Sequence, residues 1–246
     1  MLRSLKLGQY RMRQWIHGIF AYPVKTLSLQ PLNYDEYWDL KRPRDVQVAL
    51  SPMERDRATI IAHSMPTQVR SIGDIGSGPG TVLSEILRLC PGLTAVAYDS
   101  SARARAEAER LGLRTAPLDL RADPSLTSVT PADVFIVLEV LEHIPDAEQV
   151  LAVLLAKSTY GVFFSVPNTG FFMHRFRLLF GKVPAQWIRL PNEHLRFWTI
   201  VDMRWWLRSQ KISNFTINPY GGVPLVNKLW PNLFALGMVV FVAPRI

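Results

Sequence analysis

The sequence predicts an α/β fold: a doubly wound, mostly parallel sheet with helices on both faces. Three observations carry this. From about residue 69, short apolar runs alternate with helical patterns, which is the signature of right-handed βαβ crossovers. A glycine turn, Gly76 to Gly80, joins the first apolar run to the first helical one. The run Val134 to Leu138 is apolar throughout, as a strand buried on both faces should be.

The elements follow in order. Val69 to Asp74 reads as a strand, and Thr81 to Leu89 as the helix after the turn. Thr94 to Tyr98 is a second strand, leading to a helix rich in Ala, Arg and Glu from Ser101 to Leu111. Thr115 to Leu118 and Val134 to Leu138 are the third and fourth strands. A helix from Asp146 to Lys157 precedes a fifth strand, Gly161 to Val166. Val201 to Ser209 is helical, and Asn214 to Ile217 with Met238 to Val242 close the sheet. Residues 1–68 and 168–199 do not fit the alternation. We read the first as an N-terminal extension and 69–246 as the main domain. Residues 168–199 form an insertion after the fifth strand, leaving the carboxyl edge where ligands bind in open α/β sheets.

Composition sets the outer limits. With 246 residues, 48% of them hydrophobic, the chain can bury a full core. A single cysteine, Cys90, rules out an internal disulfide and a thiolate zinc site, and points to a reducing, cytoplasmic setting. The longest apolar run, Leu233 to Ala243, is 11 residues, well short of the roughly 20 that span a bilayer. Charge is segregated along the chain: residues 1–70 carry net +5, 71–170 net −5 and 171–246 net +8. The two basic ends are where an anionic partner should touch. Within residues 1–20, Leu2, Leu5, Met12, Ile16, Ile19 and Phe20 share one helical side, with Arg3, Lys6 and Arg13 mostly off it. Such a helix either lies on an anionic membrane surface or caps the domain's own core. The aromatic and basic run 171–180 is a second membrane candidate at the inner face, or a lid over the acceptor. RNA is a weaker expectation, since no RNA-binding signature accompanies the charge.

The densest local chemistry is Asp74-Ile-Gly76-Ser77-Gly78-Pro-Gly80. Glycines let the backbone bend sharply and let a ligand touch bare main chain. A dinucleotide fingerprint spaces them as G-x-G-x-x-G, whereas here the third arrives one residue early. The carboxylate of Asp74, just upstream, suits an ammonium group better than a pyrophosphate. Asp99 closes the second strand, where an acid can accept both hydroxyl protons of a ribose. Asp119 follows the third strand, in place for an adenine amino group.

Asp74-x-Gly76-x-Gly78-x-Gly80, Asp99 and Leu118-Asp119-Leu120 resemble motifs I to III of class I S-adenosylmethionine-dependent methyltransferases, over about residues 69–166. The resemblance implies a seven-stranded Rossmann-like sheet and S-adenosyl-L-methionine as cofactor. It places Asp74 toward the methionine amino group, Gly76 and Gly78 along the cofactor backbone, Asp99 on the ribose and Asp119 on the adenine. Ser77, Gly80, Ser100, Leu120 and Glu139 join the same cofactor-binding set.

Glu139-Val-Leu-Glu142-His143 follows the fourth strand. Carboxylates plus imidazole suit Mg²⁺ or Mn²⁺ better than a structural zinc. The run resembles the metal motif of ubiquinone-biosynthesis O-methyltransferases and of small-RNA 3′-end 2′-O-methyltransferases. The latter add a later histidine, for which His194 in His194-Leu-Arg-Phe197-Trp198-Thr199 stands here, with Phe and Trp adjacent rather than spaced. Glu139, Glu142, His143 and His194 are thus metal candidates. The alternatives are His143 and Glu142 as an acid/base pair, or a structural role for the run. Tyr34, Tyr37 and Trp38 either close over the cofactor or pack the N-terminal segment on the sheet.

Further on, Ser165–Asn168, Arg175-x-Arg177, Gly181–Pro184, His194–Thr199 and Leu229–Phe234 look like the tail of MetW proteins and of surface-polysaccharide methyltransferases. The expected activity is O-methyl transfer to a hydroxyl of a sugar, glycan or lipid-linked polyol. The alternatives are an RNA 3′ end or a quinol, or a MetW-like accessory protein that transfers nothing.

Overall fold

The computed structural model describes Tyr34, Asp35, Trp38, residues 50–184 and residues 194–244. The amphipathic stretch 1–20 and Tyr37 lie outside the described residues. The strands are β1 Ser71–Ile75, β2 Thr94–Asp99, β3 Arg114–Pro117, β4 Ala132–Leu138, β5 Ser158–Pro167, β6 Phe215–Tyr220 and β7 Gly237–Val242. They form one seven-stranded sheet in the order β3-β2-β1-β4-β5-β7-β6. Pairing is parallel from β3 to β5 and antiparallel on both sides of β7. The order reverses between β1 and β4, and a crevice opens over the carboxyl ends there.

Both faces of the sheet are covered. In β4, Val134 and Ile136 face one layer while Phe135 and Val137 face the other, and all four are buried. Helix α1 Pro52–Ser64 and helix α2 Thr81–Leu89 cover the first face through Ala58, Ile61, Leu83 and Ile86. On the second face lie α4 Ala147–Lys157 and α6 Ile200–Ser209, through Leu151, Leu154, Met203 and Trp206. Helix α3 Ala102–Arg110 packs against β2 and β3. Each fully buried large apolar side chain contributes about 1.5–3 kcal/mol, so burial on both faces holds β4 at the centre of the sheet.

Helix α1 falls in the stretch assigned from sequence to the N-terminal extension, yet it packs on α2, β6 and β7. Its start was legible: Ser51 and Glu54 form a reciprocal capping box, with Pro52 at the first helical position. Three further helices lie on the carboxyl-edge connections: α5 Phe172–Leu179 after β5, and α7 Val226–Leu229 and α8 Pro231–Phe234 between β6 and β7. Among the described residues no helix is long and apolar enough to cross a membrane.

Candidate active site

A cavity of about 450 Å³ opens over the carboxyl ends of β1, β2 and β4. That volume is ordinary for a small-molecule cofactor. Its floor is the turn after β1, where Gly76 and Gly78 take φ of +68° and +56°, conformations that favour glycine. The Gly76 and Ser77 amides donate to the Tyr98 carbonyl at 2.8 and 3.0 Å, tying the turn to β2. The Gly78 amide donates to Asp99 Oδ2 at 2.7 Å, and the Ser101 amide to Asp99 Oδ1 at 2.8 Å. A Cβ on Gly78 would stand 2.7 Å from the Trp38 ring, so the turn and Trp38 touch only because that side chain is missing.

Asp74, Ser77, Ser100, Asp119, Leu120 and Glu139 also line the cavity. Asp74 is buried, and burial, with the nearby charge of Asp99 second, pushes its carboxyl up to about 8. Asp99 is pushed up by burial too, partly offset by the two amide hydrogen bonds. Buried acids held this way favour a cationic ligand that restores their charge. Asp119 sits on the open side, with Arg121 bonded to it and lying 5.5 Å over the Tyr34 ring. Tyr34 and Trp38 both line the cavity, and Asp35 accepts a hydrogen bond from Ser101 Oγ. Tyr34, Asp35 and Trp38 are therefore held at the cavity by polar as well as aromatic contacts.

Gly80 is placed differently from the sequence expectation. It caps α2 and does not line the cavity; a Cβ there would meet Leu113 at 2.4 Å and Ala108 at 3.0 Å. Its role is close packing of α2 against α3, which corrects its assignment to cofactor binding.

At the far end of the cavity the one-turn helix Leu141–His143 presents Glu142 and His143. The possible ligand atoms of Glu142, His143 and His194 all lie within 4.8 Å of one another. Glu142 is buried, its Oε1 is 3.7 Å from His143 Nε2, and the two imidazoles meet edge-on at 4.8 Å. His194 comes from 51 positions further along the chain, and the backbone explains how. The Leu195 and Arg196 amides donate to the Glu142 carbonyl at 2.8 and 3.1 Å. Arg196 also makes two contacts to Glu148, at 2.5 and 2.6 Å, clamping the segment to α4.

Glu139 is not in that cluster. Its Oε1 accepts from Ser165 Oγ at 2.7 Å and from Tyr220 OH at 2.9 Å, with Arg57 Nη1 at 3.7 Å. These partners hold it on the cofactor side, so it is a cavity residue and not a fourth member of the metal candidates. Arg57, from α1, was missed by sequence reasoning. It is held by Tyr220 OH at 3.2 Å, and its buried Nε has no hydrogen-bond partner among the described residues. The capping box at Ser51 would have announced its helix but not its function.

A methyltransferase-domain family model matches residues 49–212, two thirds of the chain. The chain belongs to this family. With the glycine turn and the paired acids in place, it is a class I, S-adenosylmethionine-dependent methyltransferase. No curated protein matches it in sequence. Solved structures agree on the fold. A methyltransferase from Archaeoglobus fulgidus superposes with a TM-score of 0.54 at 16% identity, over 78% of this chain and 94% of that one. The methyltransferase domain of bacterial CtHen1 gives 0.55 at 18%, over 77% and 99%. The plantazolicin methyltransferase BpumL, solved with S-adenosylhomocysteine, gives 0.56 at 13%, over 85% and 88%.

Proposed function

We propose that the chain methylates a hydroxyl that has a second oxygen beside it, on a sugar, glycan or lipid-linked polyol. The observation that carries this reading is the Glu142, His143 and His194 cluster at the far end of the cofactor cavity. One carboxylate and two imidazoles are a donor set for a divalent ion such as Mg²⁺ or Mn²⁺. Ligand atoms about 2.1 Å from one ion lie roughly 3 to 4.2 Å apart, so the observed spread needs only slight closure. A divalent ion there would acidify the acceptor hydroxyl.

The protein's own tasks follow from the geometry. Asp74 and Asp99 meet the donor's ammonium and ribose, and Gly76 and Gly78 let its chain lie against the backbone. Trp38 and Tyr34 cover it against water. Transfer needs acceptor oxygen, methyl carbon and sulfur in line, so the fixed turn on one side and the His194 clamp on the other set the angle. With His143 among the donors to an ion, the acceptor's proton would leave to solvent; without an ion, His143, beside Glu142, would take it.

Arg57 lines the cavity, and its guanidinium suits the donor's carboxylate. A hydrogen bond to a charged group is worth about 1.5–3 kcal/mol, so Arg57→Gln should weaken S-adenosylhomocysteine binding roughly 10- to 100-fold by calorimetry. Unchanged affinity would remove Arg57 from the cofactor site.

The acceptor class is tested by transfer of labelled methyl from S-adenosylmethionine to polyol-lipid and polysaccharide fractions, to RNA bearing a free 3′ vicinal diol, and to amines. Each is run with Mn²⁺ and with chelator. Metal-dependent labelling of the glycan or lipid fraction is the expected result. Labelling of RNA alone would move the substrate to a 3′ end, and metal-independent labelling of amines would overturn the O-methyl reading.

A further inference from the structure

We propose that the carboxyl-edge rim formed by α5 and by α7 with α8 is a docking face for an anionic lipid bilayer. Two separate connections build it. β6 runs parallel to β5, because each pairs antiparallel with β7, so both connections leave the same sheet edge over which the cofactor cavity opens. Their aromatic side chains meet in one ridge. Phe176 lies against Phe180 at 4.8 Å; Phe172, one turn earlier, meets Phe234 at 5.7 Å; and Phe234 meets Trp230 at 6.2 Å.

Large apolar side chains stand outward from this ridge. Leu229 is 84% exposed, Leu225 80%, Leu179 78%, Trp230 61% and Phe180 58%. Scattered exposed apolar residues need no explanation, but a run drawn from two connections on one edge does. The two segments themselves carry charge of one sign. Arg175, Lys182 and Lys228 belong to these segments, and neither 171–184 nor 221–236 contains an acidic residue.

The chemistry selects among occupants. Aliphatic tips beside lysine and arginine suit the boundary between acyl chains and anionic headgroups, with bases reaching up and leucines down. Single-stranded RNA would use exposed rings such as Phe180 and Trp230, but the three most exposed side chains of the face, Leu229, Leu225 and Leu179, offer bases no stacking surface. Self-association across a two-fold axis would place the bases of one copy against those of the next, with no acid in the face to offset them. Bilayer contact would also bring the acceptor side of the cavity to the surface from which a lipid-linked substrate would be taken. The docking face nevertheless stands on its own observations, whatever the acceptor.

The test is co-sedimentation of the full chain with vesicles of phosphatidylcholine, with and without phosphatidylglycerol. The protein should pellet with the anionic vesicles, and much less with neutral ones or at about 0.5 M salt, where screening is short-ranged. The triple variant Leu179→Ser, Leu229→Ser, Trp230→Ser should partition at least about tenfold less, since each exposed side chain lost removes apolar area from the membrane contact. Leu111→Ser, an exposed leucine at the end of α3, should partition as the parent does. S-adenosylhomocysteine binding measured on the same samples reports folding and the cofactor site separately. Equal pelleting of parent and triple variant would overturn the proposal, as would no pelleting of the parent. A parent dimer that the triple variant dissolves would overturn it too, making the face a contact between copies.

Discussion

Glu142→Gln is expected to lower methyl transfer by at least a hundredfold and Mn²⁺ affinity by at least tenfold, while S-adenosylhomocysteine affinity stays within about twofold. The substitution keeps size and shape, so the backbone carbonyl that receives the Leu195 and Arg196 amides is undisturbed. What it removes is the negative charge at the centre of the cluster, 3.7 Å from His143 Nε2. A neutral amide binds a divalent ion poorly, and activation of the acceptor hydroxyl is worth about 10² to 10⁴ in rate. His194→Ala should match it in metal affinity. It should leave the cofactor site alone, since the residues that hold His194 in place, Leu195 and Arg196, are fixed to the Glu142 carbonyl and to α4 rather than to the glycine turn. Turnover within threefold of the parent for both variants, on the acceptor the labelling identifies, would make the cluster a structural plug. Loss of cofactor affinity in step with turnover would instead place it at the donor.

Much of this was legible in the sequence, for reasons tied to particular residues. β1, β2 and β4 are short apolar runs bounded by Asp or Gly, and their parallel order follows from the helices between them. The glycine turn was legible because only glycine tolerates its backbone. That Gly80 faces α3 rather than the ligand was not, because spacing alone does not say which side of a turn a missing side chain would occupy. Glu139 was grouped with Glu142 by proximity in the chain. In the fold its φ of +56° turns it toward Ser165 and Tyr220, a partner set assembled from β5 and β6. Arg57 and the rim of α7 and α8 were missed for the same reason: their neighbours are brought by topology, and periodicity does not report those.

The second large effect concerns Asp74 and pH. Its carboxyl is pushed up to about 8 by burial and then by the charge of Asp99, against an ordinary value of 3.8. Between those values the folded, ligand-free protein holds a proton that the unfolded chain has released. Folding stability from the neutral carboxyl is therefore complete below about pH 4, falls as pH rises and is gone above about pH 8. The swing is on the order of a few kcal/mol, so the melting temperature of the ligand-free protein should drop clearly from pH 5 to pH 8.5. Asp99, also pushed up by burial, acts in the same direction. Asp74→Asn should flatten most of that slope and leave the ligand-free protein more stable at high pH than its parent. The same substitution should cost at least about a hundredfold in S-adenosylhomocysteine affinity, because an ammonium group must then be bound without a carboxylate. In the parent the sign with ligand is reversed. The ammonium favours ionised Asp74, so binding below pH 8 expels a proton and affinity should climb by up to about tenfold per pH unit toward pH 8. Calorimetry in two buffers of different ionisation heat reads that proton directly. A binding heat independent of buffer at pH 6.5, or an Asn variant that binds within threefold of the parent, would mean that Asp74 does not face the donor's ammonium.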